Sequence, residues 1–264
     1  MNLLDAHNHL HDAQLAPHHA AILPELARLG VTRAVVNGTR EADWNAVAAL
    51  ARAHTFVVPS FGLHPWYVAG RTPDWLENLR AQLKAFPQAG LGEIGLDRWI
   101  DGHDDAVQAE VFEAQLALAA ELDRPATIHC IQAWGLLAAT LRRQAPPRGF
   151  LVHAYGGSAE LAAEFVKLGG YVSFNAYFLH PRKAAQREIF AQVPEDRLLV
   201  ETDAPALPPP DNLNPHPLRN AAGEILNHPA NLVLAYQSLA ELRGVSLEKL
   251  ATPVEDNFAR LFDG

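Results

Sequence analysis

The stretch Asp5-Ala6-His7-Asn8-His9 sets two histidines two residues apart, directly behind the apolar pair Leu3-Leu4. On an extended strand, residues i and i+2 share a face, so His7 and His9 can grip one divalent cation between them. Similar donors recur at or near the ends of later apolar runs: His64, Glu93 with Asp97 behind it, His129, His153 and Asp203. An imidazole or a carboxylate in an apolar segment is costly to bury unless it is paired or metal-bound. Taken together, His7, His9 and Asp203 can hold one ion and His129 and His153 a second, with Glu93 between them. Two ions about 3.5–4 Å apart would clamp the attacking and leaving oxygens of a hydrolytic substitution, and would bring a shared water's pKa down to supply hydroxide near neutral pH. Asp203 would then steer that water or accept its proton. Mixed imidazole and carboxylate donors suit Zn, Mn or Mg alike.

Some neighbours have plainer readings beside the chemical one. His64 precedes Pro65 and reads equally as a loop histidine, and Asp97 as a turn or helix cap. Asp5 shares the face of His7 and His9, either as support behind them or as a buried hydrogen-bond acceptor. Cys130 points away from the side that His129 faces and belongs to packing. His18, His19 and His103 fall at expected loop or helix-end positions and carry no assignment.

The donors need strands to position them, and the hydrophobic pattern supplies eight. Strands are expected over 3–10, 33–38, 55–63, 91–96, 125–130, 150–153, 171–174 and 198–203. Between them run helical patterns over 18–29, 41–54, 73–86, 105–122, 134–141, 158–168 and 184–191. Gly30 closes the first helix and Ser158 caps the sixth. The Pro- and Asn-rich segment 205–226 is long enough to form a lid or wall of the site. Two helical stretches follow it, and in the last, Thr252-Pro253-Val254-Glu255 has the form of a capping box with Pro at the first helical position. Eight short apolar strands alternating with amphipathic helices in one chain of 264 residues predict an α/β fold, a single (β/α)8 TIM-type barrel over residues 1–264. No dinucleotide-binding glycine fingerprint follows any strand, which counts against an open doubly wound sheet. In such a barrel the site is built at the C-terminal strand ends, where all of these donors fall.

Composition narrows the function. With 49% hydrophobic residues the chain can fill a large core. A net charge of −9 excludes a broadly basic, nucleic-acid-coating surface, so any nucleic acid would be gripped locally. The single Cys130 excludes an internal disulfide and points to a reducing compartment. No leader pattern or membrane-spanning run stands out. A cytoplasmic monomer without membrane contact is the corresponding expectation.

With these residues in view, the chain resembles the TatD family of metal-dependent hydrolases, of the amidohydrolase-like barrel superfamily. Asp5-Ala6-His7-Asn8-His9-Leu10 resembles the family's opening D-x-H-x-H-L, and Gly62-Leu63-His64-Pro65 its G-x-H-P turn. Gly92-Glu93-Ile94-Gly95-Leu96-Asp97 matches G-E-I-G-L-D, and Glu201-Thr202-Asp203-Ala204-Pro205 matches E-T-D-x-P. Ile128-His129-Cys130 and Val152-His153-Ala154-Tyr155 stand at its two later histidine motifs, and Pro229-Ala230-Asn231-Leu232 resembles the helix opening after its long loop. The resemblance implies a two-metal site on His7, His9, Glu93, His129, His153 and Asp203; of these, Asp203 and Glu93 are the candidate catalytic residues. It implies a substrate-side role for His64, beside which Asp97 and Arg98 are candidate contacts. The implied activity is phosphodiester hydrolysis, typically as a 3′→5′ deoxyribonuclease on single-stranded DNA.

The chain also departs from the family pattern. Ile131 and Gln132 stand where an Arg and an acid usually follow the first later histidine, and Gly156 and Gly157 replace a hydroxyl-Gly pair. His228 replaces a Glu before Pro229, and Arg98 an aromatic residue after Asp97. Isoleucine offers no donors to a phosphate, so phosphate-rich substrates are expected to bind less tightly here. This leaves a second reading, hydrolysis of a different ester or amide, such as an aminoacyl-tRNA ester or another small ester. A non-catalytic binding protein would be expected to have lost a ligand, and none is lost.

Overall fold

The computed structural model describes residues 1–263. Its eight main strands are β1 (Leu3–Asn8), β2 (Val31–Asn37), β3 (Val57–Phe61), β4 (Gly90–Asp97), β5 (Ala126–Ile131), β6 (Phe150–Val152), β7 (Gly170–Phe174) and β8 (Leu198–Val200). They lie side by side in chain order in one sheet, each parallel to the next. Beyond β8 the chain turns back onto β1: Asp203 N donates to His7 O at 2.9 Å and His9 N to Ala204 O at 2.7 Å. The sheet thereby curls into a nearly closed TIM-type barrel, as the strand–helix alternation predicts. β1, β3, β4 and β7 are buried along their whole length, the condition of parallel strands covered on both faces.

The covering helices are α1 (His19–Arg28), α2 (Trp44–Ala53), α3 (Trp75–Ala85), α4 (Asp105–Glu121), α5 (Trp134–Gln144), α6 (Ala159–Lys167), α7 (Ala184–Ile189), α8 (Leu232–Leu242) and α9 (Leu247–Phe258). Asp104 starts α4 by accepting from Ala106 N and Val107 N, and Ser158 starts α6 by accepting from Leu161 N. The buried stripe of α2 is Trp44, Val47 and Ala48. α8 clasps β1 directly, since the Tyr236 hydroxyl donates to Leu4 O at 3.1 Å and accepts from Leu4 N at 3.2 Å.

The last helix differs from the sequence expectation. α9 begins a turn and a half earlier, where Ser246 accepts from Lys249 N, and Pro253 lies inside it rather than at its first position. The capping-box pattern at 252–255 was outweighed by this earlier cap and by burial of Leu250, Ala251, Val254 and Phe258 on one face. β8 is also shorter than expected. It ends at Val200, and it could not have reached Asp203 in any case, because φ +57° there lies in the left-handed region. The segment 205–226 contains a short antiparallel pair, β9 (Leu218–Arg219) with β10 (Ile225–Leu226).

Candidate metal centre

The C-terminal strand ends bring His7, His9, His64, Glu93, His129, His153 and Asp203 into one buried cluster. His7 is fully buried, and Glu93 is 3% exposed. On one side, His7 Nε2 lies 3.3 Å from His9 Nε2, 3.3 Å from Asp203 Oδ1 and 3.6 Å from Glu93 Oε2. His9 Nε2 lies 3.2 Å from Glu93 Oε2 and 3.5 Å from Asp203 Oδ1. On the other side, Glu93 Oε1 lies 2.8 Å from His153 Nε2, 3.1 Å from His129 Nδ1 and 3.4 Å from His64 Nε2. Glu93 thus stands between two donor sets with one oxygen toward each. The two sets touch where the His7 and His153 rings stack, with centroids 3.8 Å apart.

These separations suit metal ions. Bonds of about 2.0–2.2 Å in a tetrahedral shell place neighbouring donors about 3.3–3.6 Å apart, which the first set reproduces on nearly every edge. Three groups have mutually close donor atoms: His7, His153 and Asp203; His7, His9 and Glu93; and His64, Glu93 and His129. His64 therefore lies within ligand reach of the cluster, beside Glu93 and His129. The donor chemistry, nitrogen and carboxylate oxygen without thiolate, fits Zn, Mn or Mg.

The backbone is built to hold this arrangement. Gly95, in register opposite His129, has φ +145°, and a Cβ there would meet His129 O at 2.0 Å, so only glycine lets β4 approach β5 at the ligand position. Gln132, Ala154 and Asp203 have positive φ although none is glycine. Each such position costs of order 1–3 kcal/mol and persists only where its surroundings over-determine it. Around Ala154 the reason is visible, because its N–H donates to buried Glu201 at 2.8 Å.

Behind the donors lies a layer of polar partners that fixes ring orientation. His9 Nδ1 donates to Asn37 O at 2.8 Å, leaving Nε2 toward the cluster. The Asn37 amide lies 3.0 Å from His7 Nδ1. Asp97 Oδ2 accepts from His129 Nε2 at 2.8 Å, so Nδ1 is the atom that faces Glu93. Glu201, fully buried, accepts from Ser173 Oγ and from Asn175 Nδ2 at 3.0 Å, with an oxygen 3.7 Å from His153 Nδ1. Asp5 accepts from Thr202 Oγ1 at 2.6 Å and Thr202 N at 3.0 Å, so it ties β1 to the segment carrying Asp203. Burial raises the Asp5 carboxyl to about 7 against these bonds.

Two glutamines of α4 do similar work one layer further out. Gln115 accepts from Leu63 N at 2.7 Å and donates to Leu63 O at 3.1 Å, next to His64. Gln108, seven residues earlier on the same face, accepts from Asp97 N and donates to Asp97 O, both at 2.8 Å. Asn37, Gln108, Gln115 and Glu201 were not singled out from the sequence. Only Glu201 had a signal, its place in Glu201-Thr202-Asp203.

The charges are strongly coupled. Burial raises the Glu93 and Asp203 carboxyls, but the surrounding imidazoles outweigh it and hold both well below the usual carboxylate range. Burial lowers His9, His129 and His153, but their carboxylate partners push all three above the ordinary imidazole value. His64, buried among other imidazoles, falls to about 4. The cluster thus consists of anionic carboxylates that draw positive charge, which is also what they would draw from divalent cations.

Arg98 stands apart from the cluster, exposed and paired with Asp105 of α4. Ile131 ends β5 half-buried, its carbonyl accepting from Arg98 N at 3.0 Å. Cys130 is buried in the core, where burial lifts its thiol to about 12. His228 caps the turn before α8, its Nδ1 accepting from Ala230 N at 3.0 Å.

A model of the family described as TatD related DNase matches residues 4–263. The chain belongs to the TatD family of metal-dependent hydrolases. Among TatD relatives, the metal-dependent hydrolase YabD of Bacillus subtilis is 30% identical over 264 residues, covering 98% of both chains. A protein of Pantoea ananatis named 3′-5′ ssDNA/RNA exonuclease TatD is 31% identical over 265 residues, covering 98% of this chain and 99% of its own. The crystal structure of YjjV, a TatD homologue of Escherichia coli, superposes with a TM-score of 0.90 at 29% identity, covering 99% of this chain and 98% of that one. No helix among the described residues is long and apolar enough to cross a membrane.

Proposed function

We propose that this protein hydrolyses phosphodiester bonds of single-stranded nucleic acid, as a 3′→5′ deoxyribonuclease working with two divalent cations, Zn, Mn or Mg. The observation that carries this reading is the division of one buried cluster by Glu93, with His7, His9 and Asp203 on one side and His129 and His153 on the other. Bound between these donors, cations would polarise the phosphoryl oxygens and acidify a water. Asp203, held anionic among imidazoles, accepts the proton of the attacking water. Glu93 keeps the two donor sets in register. Asp97 holds the His129 ring and Asn37 the His9 ring, so the donors are oriented before substrate arrives. His64, neutral near pH 7, faces the incoming substrate as a hydrogen-bonding group.

The name of the Pantoea relative supports nucleic acid as the substrate. Hydrolysis of another ester is a second reading, favoured by one observation: Arg98 is engaged by Asp105 and Ile131 carries no charge, so these two rim positions offer no free cation to a phosphate. The test is digestion of a single-stranded oligonucleotide, labelled at its 5′ end, by protein loaded in turn with each of the three metals. A ladder shortening from the 3′ end, stopped by chelator, is expected. An intact oligonucleotide beside a hydrolysed small ester would assign the second reading.

A further inference from the structure

Of five tryptophans, Trp44 is 2% exposed, whereas Trp66 is 46% and Trp99 66% exposed. An indole left in water forgoes a large hydrophobic gain, so two of them at one rim call for a reason. Each stands two residues beyond a rim residue of neighbouring strands: Trp66 follows His64 after β3, and Trp99 follows Asp97 at the end of β4. Both residues are tied to the Asp97 carboxylate, Trp66 through its ring and Trp99 through its backbone. Trp66 Nε1 donates to Oδ2 at 2.8 Å, and Trp99 N donates to Oδ1 at 2.6 Å. Oδ2 also accepts from His129 Nε2 at 2.8 Å, so a cluster histidine and both tryptophans converge on one buried side chain. The Trp66 ring is further fixed by standing edge-on to His64, with centroids 5.3 Å apart and planes at 90°, and by its backbone N–H donating to His64 Nδ1 at 3.1 Å.

We propose that Trp66 and Trp99 form a stacking subsite for a nucleobase of a single-stranded substrate, beside the phosphodiester being cleaved. The proposal rests on the nuclease reading and specifies how the strand is held. Indole faces offer stacking to any base without selecting its sequence, and the Trp66 ring, already pinned by its Nε1 hydrogen bond, loses little freedom when a base covers it. The neighbouring cations do not compete for the role. Arg98 is paired with Asp105, and the Arg40 guanidinium lies 4.8 Å from the centroid of the Tyr67 ring. In a chain of net charge −9, grip on a polyanion at this rim falls to the rings of its bases rather than to its phosphates.

The test compares two probes on the metal-loaded enzyme: a five-residue oligodeoxyadenylate and a strand of the same length whose bases are replaced by abasic tetrahydrofuran units. The wild type should show a KM lower by about tenfold or more for the strand with bases. In Trp99→Ala that preference should collapse toward one, and in Trp99→Phe, which restores a ring, most of it should return. Trp66→Phe, which keeps a ring but removes the Nε1 donor, should retain part of it. Equal KM values for the two probes in the wild type, or an undiminished preference in Trp99→Ala, would overturn the stacking subsite while leaving the nuclease reading intact. Failure of the wild type to cleave either strand, with a small ester still hydrolysed, would instead remove the nuclease reading on which the subsite rests.

Discussion

Asp203 touches both His7 and His9, and its backbone N–H closes the barrel onto His7 O at 2.9 Å. Asp203→Asn preserves side-chain shape and hydrogen-bonding capacity but removes the charge and the proton acceptor. The variant should keep the wild-type circular dichroism spectrum and lose about 100-fold or more in kcat, the usual scale of a general base. Near-wild-type turnover with full metal loading would show that another group takes the proton. A second residue-scale expectation concerns His228, away from the cluster. Burial and the stacked His216 lower its imidazole to about 4, with Glu25 opposing and His18 adding to the effect. Its Nδ1 must stay unprotonated to accept from Ala230 N. In the unfolded chain the same ring takes its proton near its ordinary value of 6.5. The unfolded chain therefore binds the extra proton between these values, and His228's contribution is whole above about 6.5 and is lost as pH falls toward 4. Urea unfolding at pH 7 and pH 5 should show a smaller loss of stability in His228→Asn, which keeps a capping acceptor, than in the wild type. Equal losses would contradict this account.

At the scale of elements, α4 does more than cover the sheet. Through Gln108 and Gln115 it supplies donor and acceptor to the two rim segments that lead to Asp97 and His64. Gln115→Leu would leave Leu63 N and O buried without partners, at about 1–3 kcal/mol for each group. A fall in unfolding free energy of that order, accompanied by a raised KM, is expected. An unchanged melting curve would mean that the turn finds other partners. Pro253 makes the opposite case. Inside α9 it withholds the N–H that Lys249 O would accept, so Pro253→Ala should stabilise the protein by up to about 3 kcal/mol in thermal or urea melts. A loss of stability would show that the helix has adapted to the proline. These two cases also mark what the sequence could reveal. Strand positions followed from apolar runs because burial on both faces imposes that pattern, and the cluster followed because the donors interrupt those runs. Gln108 and Gln115 escaped because a polar residue on a helix ordinarily faces water, and only the folded loops show what they bond. Pro253 misled because a cap pattern is local, whereas the helix start was decided by Ser246 and by the apolar face behind it.

At the scale of the whole molecule, a single strand order, β1 to β8, gathers donors from positions 7 to 203 onto one rim, so the barrel is the device that assembles the site. That gathering was legible from the spacing of donors against strands. The tryptophan rim was not, because nothing in His64-Pro65-Trp66 or Asp97-Arg98-Trp99 tells an exposed indole from a buried one. The central claim is that this rim holds two divalent cations on either side of Glu93. It is tested most directly by the anomalous difference map of crystals grown with Mn or Zn. The account predicts two peaks per chain, one bounded by His7, His9 and Asp203 and the other by His129 and His153, with Glu93 between them. A single peak, or peaks away from Glu93 with these side chains left as they stand, would contradict it.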